Sequence, residues 1–206
     1  LSTDGKIKNL NWVSGLNAPK GLGVYNGNLY ATDIDQLVEI NIAKSQIVNR
    51  YPVKDAKFLN DIAISNDGTV FISDSDDDKI YALKDGKLSL WLENKVLESP
   101  NGLWADQDNL YVGTTSILRV TLQTKKVTAL IDHCNGIDGL EKLSNGKFIY
   151  SNWEGRIFIT ENRQSVQLLN TVGKSNTADI EYEPSLNLLL VPTFFSNRVD
   201  AYQLVK

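Results

Sequence analysis

The chain has 206 residues, 42% hydrophobic and 22% charged, with a formal net charge of −4, the make-up of an ordinary folded domain. That balance disfavours nucleic acid, whose phosphates need a basic stripe, and no apolar run approaches the roughly 20 residues of a membrane-spanning helix. A single cysteine, Cys134, excludes an internal disulfide.

The lone cysteine leaves the compartment open, with a periplasmic or secreted setting placed ahead of the cytoplasm. The sequence starts at Leu1 and contains no Met, so it is read as lacking a front segment. No signal-like stretch is present in what remains.

From the N-terminus, Lys6–Val13 (KIKNLNWV) reads as a strand with no hairpin of its own. Lys20 then begins the first of five similar stretches: KGLGVYNGNLYATD. The second, Asn60 onward within FLNDIAISNDGTVFISD, shows the pattern most plainly. A polar pair, Asn60-Asp61, leads into alternating apolar residues, a turn at Asn66-Asp67-Gly68, and a second apolar run ending on Asp74. Two apolar runs joined by such a turn are a β-hairpin signature. The remaining copies start at Asn101, Asp138 and Asp179, at intervals of 40, 41, 37 and 41 residues.

A repeat of this period, with two-residue rather than 3.6-residue alternation, predicts a β-propeller built of four-stranded blades. The first blade takes Gly21–Tyr25, Asn28–Asp33, Leu37–Ile42 and Gln46–Tyr51. The second takes Asp61–Ile64, Thr69–Ser73, Lys79–Lys84 and Lys87–Leu92. Gly102–Ala105, Asn109–Gly113, Ile117–Leu122 and Lys126–Ile131 make the third. Gly139–Leu143, Lys147–Ser151, Arg156–Thr160 and Val166–Leu169 make the fourth. The last has only Ile180–Glu183, Leu188–Pro192 and Arg198–Leu204. An all-β, single-domain propeller over residues 1–206 therefore needs one more strand. Lys6–Val13 is expected either to close the fifth blade or to be the outer strand of a sixth.

Two rings of polar residues follow from the repeat register. Lys20, Asn60, Asn101, Asp138 and Asp179 stand where each innermost strand begins beside the channel. Asp33, Asp74, Thr114, Asn152 and Thr193 stand where each second strand ends. Apart from Lys20 these are oxygen donors, the ligands a hard cation such as Ca²⁺ takes, while the near absence of His and Cys disfavours zinc or copper. The bland alternative is that Asn and Asp here are turn formers.

The segments LNDIAIS, SPNGLWAD and IDGLEKLSNGKF resemble the SMP-30/gluconolactonase family and its paraoxonase relatives, six-bladed calcium-dependent propellers. APKGLGVYNGNLYATD also resembles NHL repeats, which are often non-catalytic. Carried over by position, the resemblance implies Ca²⁺ held by Asn60, Asn101 and Asp138. A fourth family ligand, a glutamate of the first blade, has no counterpart here, and Lys20 stands where paraoxonases carry a histidine. The implied activity is hydrolysis of a lactone or ester at the channel, with Asp61, Asp74 or Asp179 as general base. Lys20 and Asn152 are the substrate-binding candidates. Lys20 is alternatively a charge partner of Asp179 or Asp33. The second functional class is a non-catalytic NHL-like propeller, a binding or scaffold module with a protein partner.

Four other features carry plainer expectations. His133, the only histidine, belongs to a loop, and Cys134 is a small buried residue with no histidine to activate it. Asp74–Asp78 imitates the start of an EF-hand loop but lacks its glycine, so it reads as a solvated turn. Trp12, Trp91, Trp104 and Trp153 are packing residues, with Trp153 beside Asn152 also able to wall a ligand pocket.

Overall fold

The structure, a computed structural model, describes residue 2 and residues 4–205. It is an all-β propeller of five antiparallel blades in which each blade runs from an inner to an outer strand. Blade one comprises β1 (Pro19–Tyr25), β2 (Asn28–Asp33), β3 (Gln36–Asn41) and β4 (Gln46–Pro52). Blade two comprises β5 (Leu59–Ile64), β6 (Val70–Asp74), β7 (Lys79–Lys84) and β8 (Lys87–Glu93). β9 (Leu103–Ala105), β10 (Asn109–Gly113), β11 (Ile117–Thr121) and β12 (Val127–Ile131) form blade three. β13 (Leu140–Lys142), β14 (Phe148–Asn152), β15 (Arg156–Glu161) and β16 (Gln164–Asn170) form blade four. Blade five is β17 (Glu181–Glu183), β18 (Leu188–Thr193) and β19 (Arg198–Gln203). The described residues contain one short 3₁₀ turn, Lys95–Leu97, and no helix long and apolar enough to cross a membrane.

The hairpins form where the turn chemistry allows. Asn26-Gly27 and Asp85-Gly86 take positive φ at both positions, 46° and 78° in the first, 48° and 72° in the second. That geometry matches the twist of the paired strands and suits Asn, Asp and Gly.

Packing between blades follows the alternation. Leu37, Leu59, Ile62 and Ile72 fill the space between blades one and two, and Phe71, Leu97, Leu103 and Leu110 that between two and three. Tyr111, Ile137, Leu140 and Tyr150 join three to four, and Ile149, Ile180 and Leu189 join four to five. Among the described residues no such cluster joins blade five to blade one, and Leu22 and Val24 of β1 stay 55% and 63% exposed.

One expectation is corrected. Lys6–Val13 forms no strand and does not complete blade five, which has three strands. Ile7 and Leu10 are 65% and 81% exposed, so the alternation has no face to bury. The chain is tied to blade one just after this segment, where Arg50 Nη2 donates to the Gly15 carbonyl at 2.6 Å. Alternation determines which side chains share a face, but not which edge a strand will find.

Candidate functional site

Pairing of Pro19 with Asp33 and of Leu59 with Asp74 puts the starts of the inner strands and the ends of the second strands at one end of the propeller. Both predicted rings therefore surround the same channel mouth. What holds the inner strands close is the residue after each ring position. A Cβ on Gly21 would lie 2.5 Å from the Asn60 carbonyl oxygen, and one on Gly102 2.4 Å from that of Asp138. Both distances are shorter than any real contact, so these positions admit only glycine. In blade two the same position is Asp61, and its carboxylate replaces the close approach with hydrogen bonds. Its two oxygens accept from Leu103 N of the next blade at 2.6 Å and from Ile62 N at 2.7 Å.

Serine and threonine hydroxyls complete the seams. Thr32 Oγ1 accepts from Gly21 N and donates to the Asn60 carbonyl. Ser151 Oγ accepts from Gly139 N and donates to the Ala178 carbonyl.

The ring at the ends of the second strands is buried and engaged. Asp33 accepts from Asn17 N at 2.9 Å and Ala18 N at 2.7 Å. Asp74 does the same for Lys57 N and Phe58 N, at 2.9 and 2.7 Å. Each carboxylate pins the loop that leads into its own blade's inner strand. Burial works to raise the Asp33 pKa, and the donors from Ala18, Asn17 and Gln36 outweigh it and hold the group below its usual range. Asn152 Oδ1 accepts from Arg156 N, and its Nδ2 donates to the Asn135 carbonyl. Asn152 borders a polar cleft of about 500 Å³ with Glu154, Arg156 and Gln167. Thr114 and Thr193 brace their own loops. A larger cleft of about 590 Å³, lined by Ala129, Lys147 and Arg163, lies at the other end of β14, away from both rings.

The ring at the starts of the inner strands is differently served. Asn60 Nδ2 donates to Ser75 Oγ at 3.2 Å. Asn101 Nδ2 donates to Asp138 Oδ1 at 3.3 Å, while Asn101 Oδ1 is buried with no hydrogen-bond partner among the described residues. Burial, with the Asp179 charge beside it, pushes Asp138 up to about 7. Asp179 packs on the neighbouring inner strand, where a Cβ on Gly139 would stand 2.7 Å from its Oδ1. That oxygen accepts from Ile180 N at 2.8 Å. Burial raises both Asp61 and Asp179, and the Asp179 charge adds to the rise of Asp61. Glu141 and Glu181, on the neighbouring strands β13 and β17, are raised by burial and then by nearby acidic groups, Glu141 to about 9.

Lys20 does not compensate this charge. Among the described residues it makes no ion pair, which corrects its expected pairing with Asp179 or Asp33. Its Nζ lies over the Phe58 ring, 4.4 Å from the centroid. His133 is exposed in its loop, and Cys134 is buried at 6% exposure in the cluster between blades three and four. Asp77 pairs with Lys79, and Asp78 accepts from Ser99 N, so Asp74–Asp78 is a braced turn.

Sequence reasoning passed over an aromatic cluster at the same end of the propeller. Trp153 meets Phe194 with ring centroids 4.6 Å apart, and Phe194 meets Phe195 at 4.8 Å. The consecutive pair Phe194-Phe195, directly after ring residue Thr193, was the available signal.

Among the described residues no three His, Cys, Asp or Glu side chains are grouped as a metal site requires. A cation at the mouth would depend on the amide oxygens of Asn60 and Asn101 together with Asp138. The donor chemistry fits Ca²⁺: all oxygens, one of them buried and unpaired, beside a carboxylate that has no cationic partner among the described residues.

No protein-family model matches the chain, and no curated protein matches it by sequence. Several solved structures share its fold. A catalytically inactive virginiamycin B lyase from Staphylococcus aureus, determined with quinupristin, aligns with a TM-score of 0.71 at 14% identity. It covers 97% of this chain and 69% of that one. The nidogen/laminin complex gives a TM-score of 0.70 at 19% identity, over 90% and 76% of the two chains. A gluconolactonase from Xanthomonas campestris gives 0.67 at 15% identity, over 85% and 69%. Likeness at these identities establishes the propeller fold and leaves function to the site.

Proposed function

We propose that the channel mouth is a small-molecule site of the lactonase or esterase kind, with Asn60, Asn101 and Asp138 as ligands for Ca²⁺. The observation that carries this reading is the buried, unpartnered Oδ1 of Asn101 next to the uncompensated Asp138. A buried polar atom without a partner costs roughly 1–3 kcal/mol, and a bound cation removes that cost. The structural likeness to a gluconolactonase supports the same reading.

When bound, Ca²⁺ would supply Lewis-acid polarisation of a lactone or ester carbonyl. The chain's own part is to position and to move a proton. Asp74 is removed from candidacy as a base by its two loop N–H donors. Asp61 is removed in the same way, since both of its oxygens accept from backbone N–H groups. Asp179, with one oxygen engaged by Ile180 N and burial raising it to about 6, remains as the group to accept a proton from water. Lys20, held over Phe58 at the same end, supplies a positive charge toward an anionic substrate.

Thermal unfolding in EDTA and then in rising Ca²⁺ tests the metal site, because a ligand that binds only the folded chain raises the midpoint. The rise should vanish in Asn101→Ala and Asp138→Asn. An unchanged midpoint at millimolar Ca²⁺ overturns the reading.

A second reading is a binding module without turnover. It is favoured by the occupation of both Asp61 oxygens by backbone N–H groups, and by the likeness to the nidogen propeller, solved with laminin. Calcium-dependent stabilisation without hydrolysis of any lactone would select it.

A further inference from the structure

The residues that follow the second-strand ring divide the mouth into two sides. After Asp74 and Thr114, in blades two and three, come Ser75-Asp76 and Thr115-Ser116. After Asn152 and Thr193, in blades four and five, come Trp153 and Phe194-Phe195. After Asp33 in blade one comes Ile34. The apolar members are open to solvent: Trp153 is 43% exposed, Phe194 57%, Phe195 73% and Ile34 48%.

Blades two and three also carry the amides Asn60 and Asn101. At the rim, the residues after the ring are therefore polar on the side of blades two and three and apolar on the side of blades four, five and one.

The aromatic cluster is tied to the loop that delivers Asp179. Asn176 Nδ2 donates to the Trp153 carbonyl at 2.9 Å, and Thr177 Oγ1 to the Asn152 carbonyl at 2.6 Å. Ala178 N donates to the Pro192 carbonyl, two residues before Phe194. The rings are thus anchored within a few residues of a channel carboxylate. Their edge-to-face contacts, at interplanar angles of 68° and 85°, hold them in place without covering them.

We propose that Trp153, Phe194 and Phe195 form a subsite for the apolar part of an amphipathic small molecule whose carbonyl-bearing head enters the channel mouth. The ligand class is a lactone or ester carrying an aryl or comparable apolar substituent. This deepens the functional reading above and rests on it for the orientation of the head. The two-sided mouth selects this occupant: a wholly polar sugar lactone would leave the rim bare, and a wholly apolar molecule would leave the amides unpaired.

The test uses γ-butyrolactone and γ-phenyl-γ-butyrolactone on the full chain with Ca²⁺. Hydrolysis gives the kcat/KM ratio of the two, and ligand-observed NMR gives binding without any need for turnover. The phenyl compound is expected to be preferred, and Phe194→Ala with Phe195→Ala to lower that preference by about tenfold. Trp153→Phe should retain most of it.

Binding of the phenyl compound that weakens in the double variant, with no hydrolysis of either lactone, supports the subsite while the hydrolase reading fails. Hydrolysis of both lactones at a ratio the double variant leaves unchanged overturns the subsite while the hydrolase reading stands. Failure to bind the phenyl compound overturns the subsite too. So does a concentration-dependent mass that Phe195→Ala abolishes, because the rim would then be a contact between copies of the chain.

Discussion

The buried acids of this propeller fall into two populations of the same chemistry and opposite circumstance. Glu39 in blade one receives Asn28, Tyr30, Asn49 and Tyr51, and Asp33 and Asp74 each receive two loop N–H groups. Burial works to raise Glu39, and its donors outweigh burial and hold it below the usual carboxylate range. Asp138, Glu141 and Asp179, along the inner strands of blades four and five, have few donors and, among the described residues, no cationic partner. Burial pushes all three up. A carboxylate surrounded by donors is a structural fastener, whereas one buried without them is held in a protonated or ligand-ready state at a cost in stability. Position in the repeat separates Asp33 and Asp74 from Asp138 and Asp179, because each position meets different neighbours.

The sharpest way to break the comparison is to remove a fastener. Asp74→Ala leaves two loop N–H groups unpaired in a buried site and should destabilise the fold by about 3 kcal/mol in urea unfolding. A loss below roughly 1 kcal/mol would mean that the loop does not depend on its carboxylate.

Next in size is Glu141→Gln, which replaces an acid that resists ionising by a neutral side chain. At pH 8 it should stabilise by on the order of 2 kcal/mol, and the gain should disappear near pH 4, where Glu141 is protonated in both folded and unfolded chains. A constant effect across pH would contradict the raised pKa.

The two populations also predict opposite pH limbs. Glu39 has a lowered folded pKa, so its contribution is present above its unfolded value of 4.5 and is lost as pH falls through the folded value. Glu141 has a raised one, so stability declines as pH rises from about 4.5 to about 9. Urea midpoints across this range should peak in mildly acidic solution. Glu39→Gln should flatten the acid limb only, and Glu141→Gln the alkaline limb only.

The smallest expected effect is Thr32→Ala. It removes the hydroxyl that links Gly21 N to the Asn60 carbonyl across the seam of blades one and two, at a cost of about 1 kcal/mol. A Ca²⁺-dependent midpoint shift smaller than in the parent chain would show that the seam also positions Asn60.

Much of the fold was legible. The strands from Gly21 onward appear close to their expected limits, because alternation and Asn/Asp/Gly turns are read from neighbours along the chain. The two rings of polar residues were legible as positions, and Asn101 and Asp138 do meet. Their division of labour was not. Nothing local says that Asp74 faces Lys57 N and Phe58 N, or that Lys20 rests on Phe58 rather than beside a carboxylate. The strand pattern of Lys6–Val13 was legible too, but an alternating segment carries no address for its partner edge.

Sequence alone determined the propeller, its blade register and the set of oxygen-bearing residues at the channel mouth, since each follows from a short motif repeated about every 40 residues. Tertiary structure decided which of those oxygens are satisfied. Asp61 meets Leu103 N across 42 positions of chain, and Trp153 meets Phe194 across two blades. Hydrogen-bond donors, burial and neighbouring charge are properties of the assembled ring, and they alone separate a fastener from a candidate ligand.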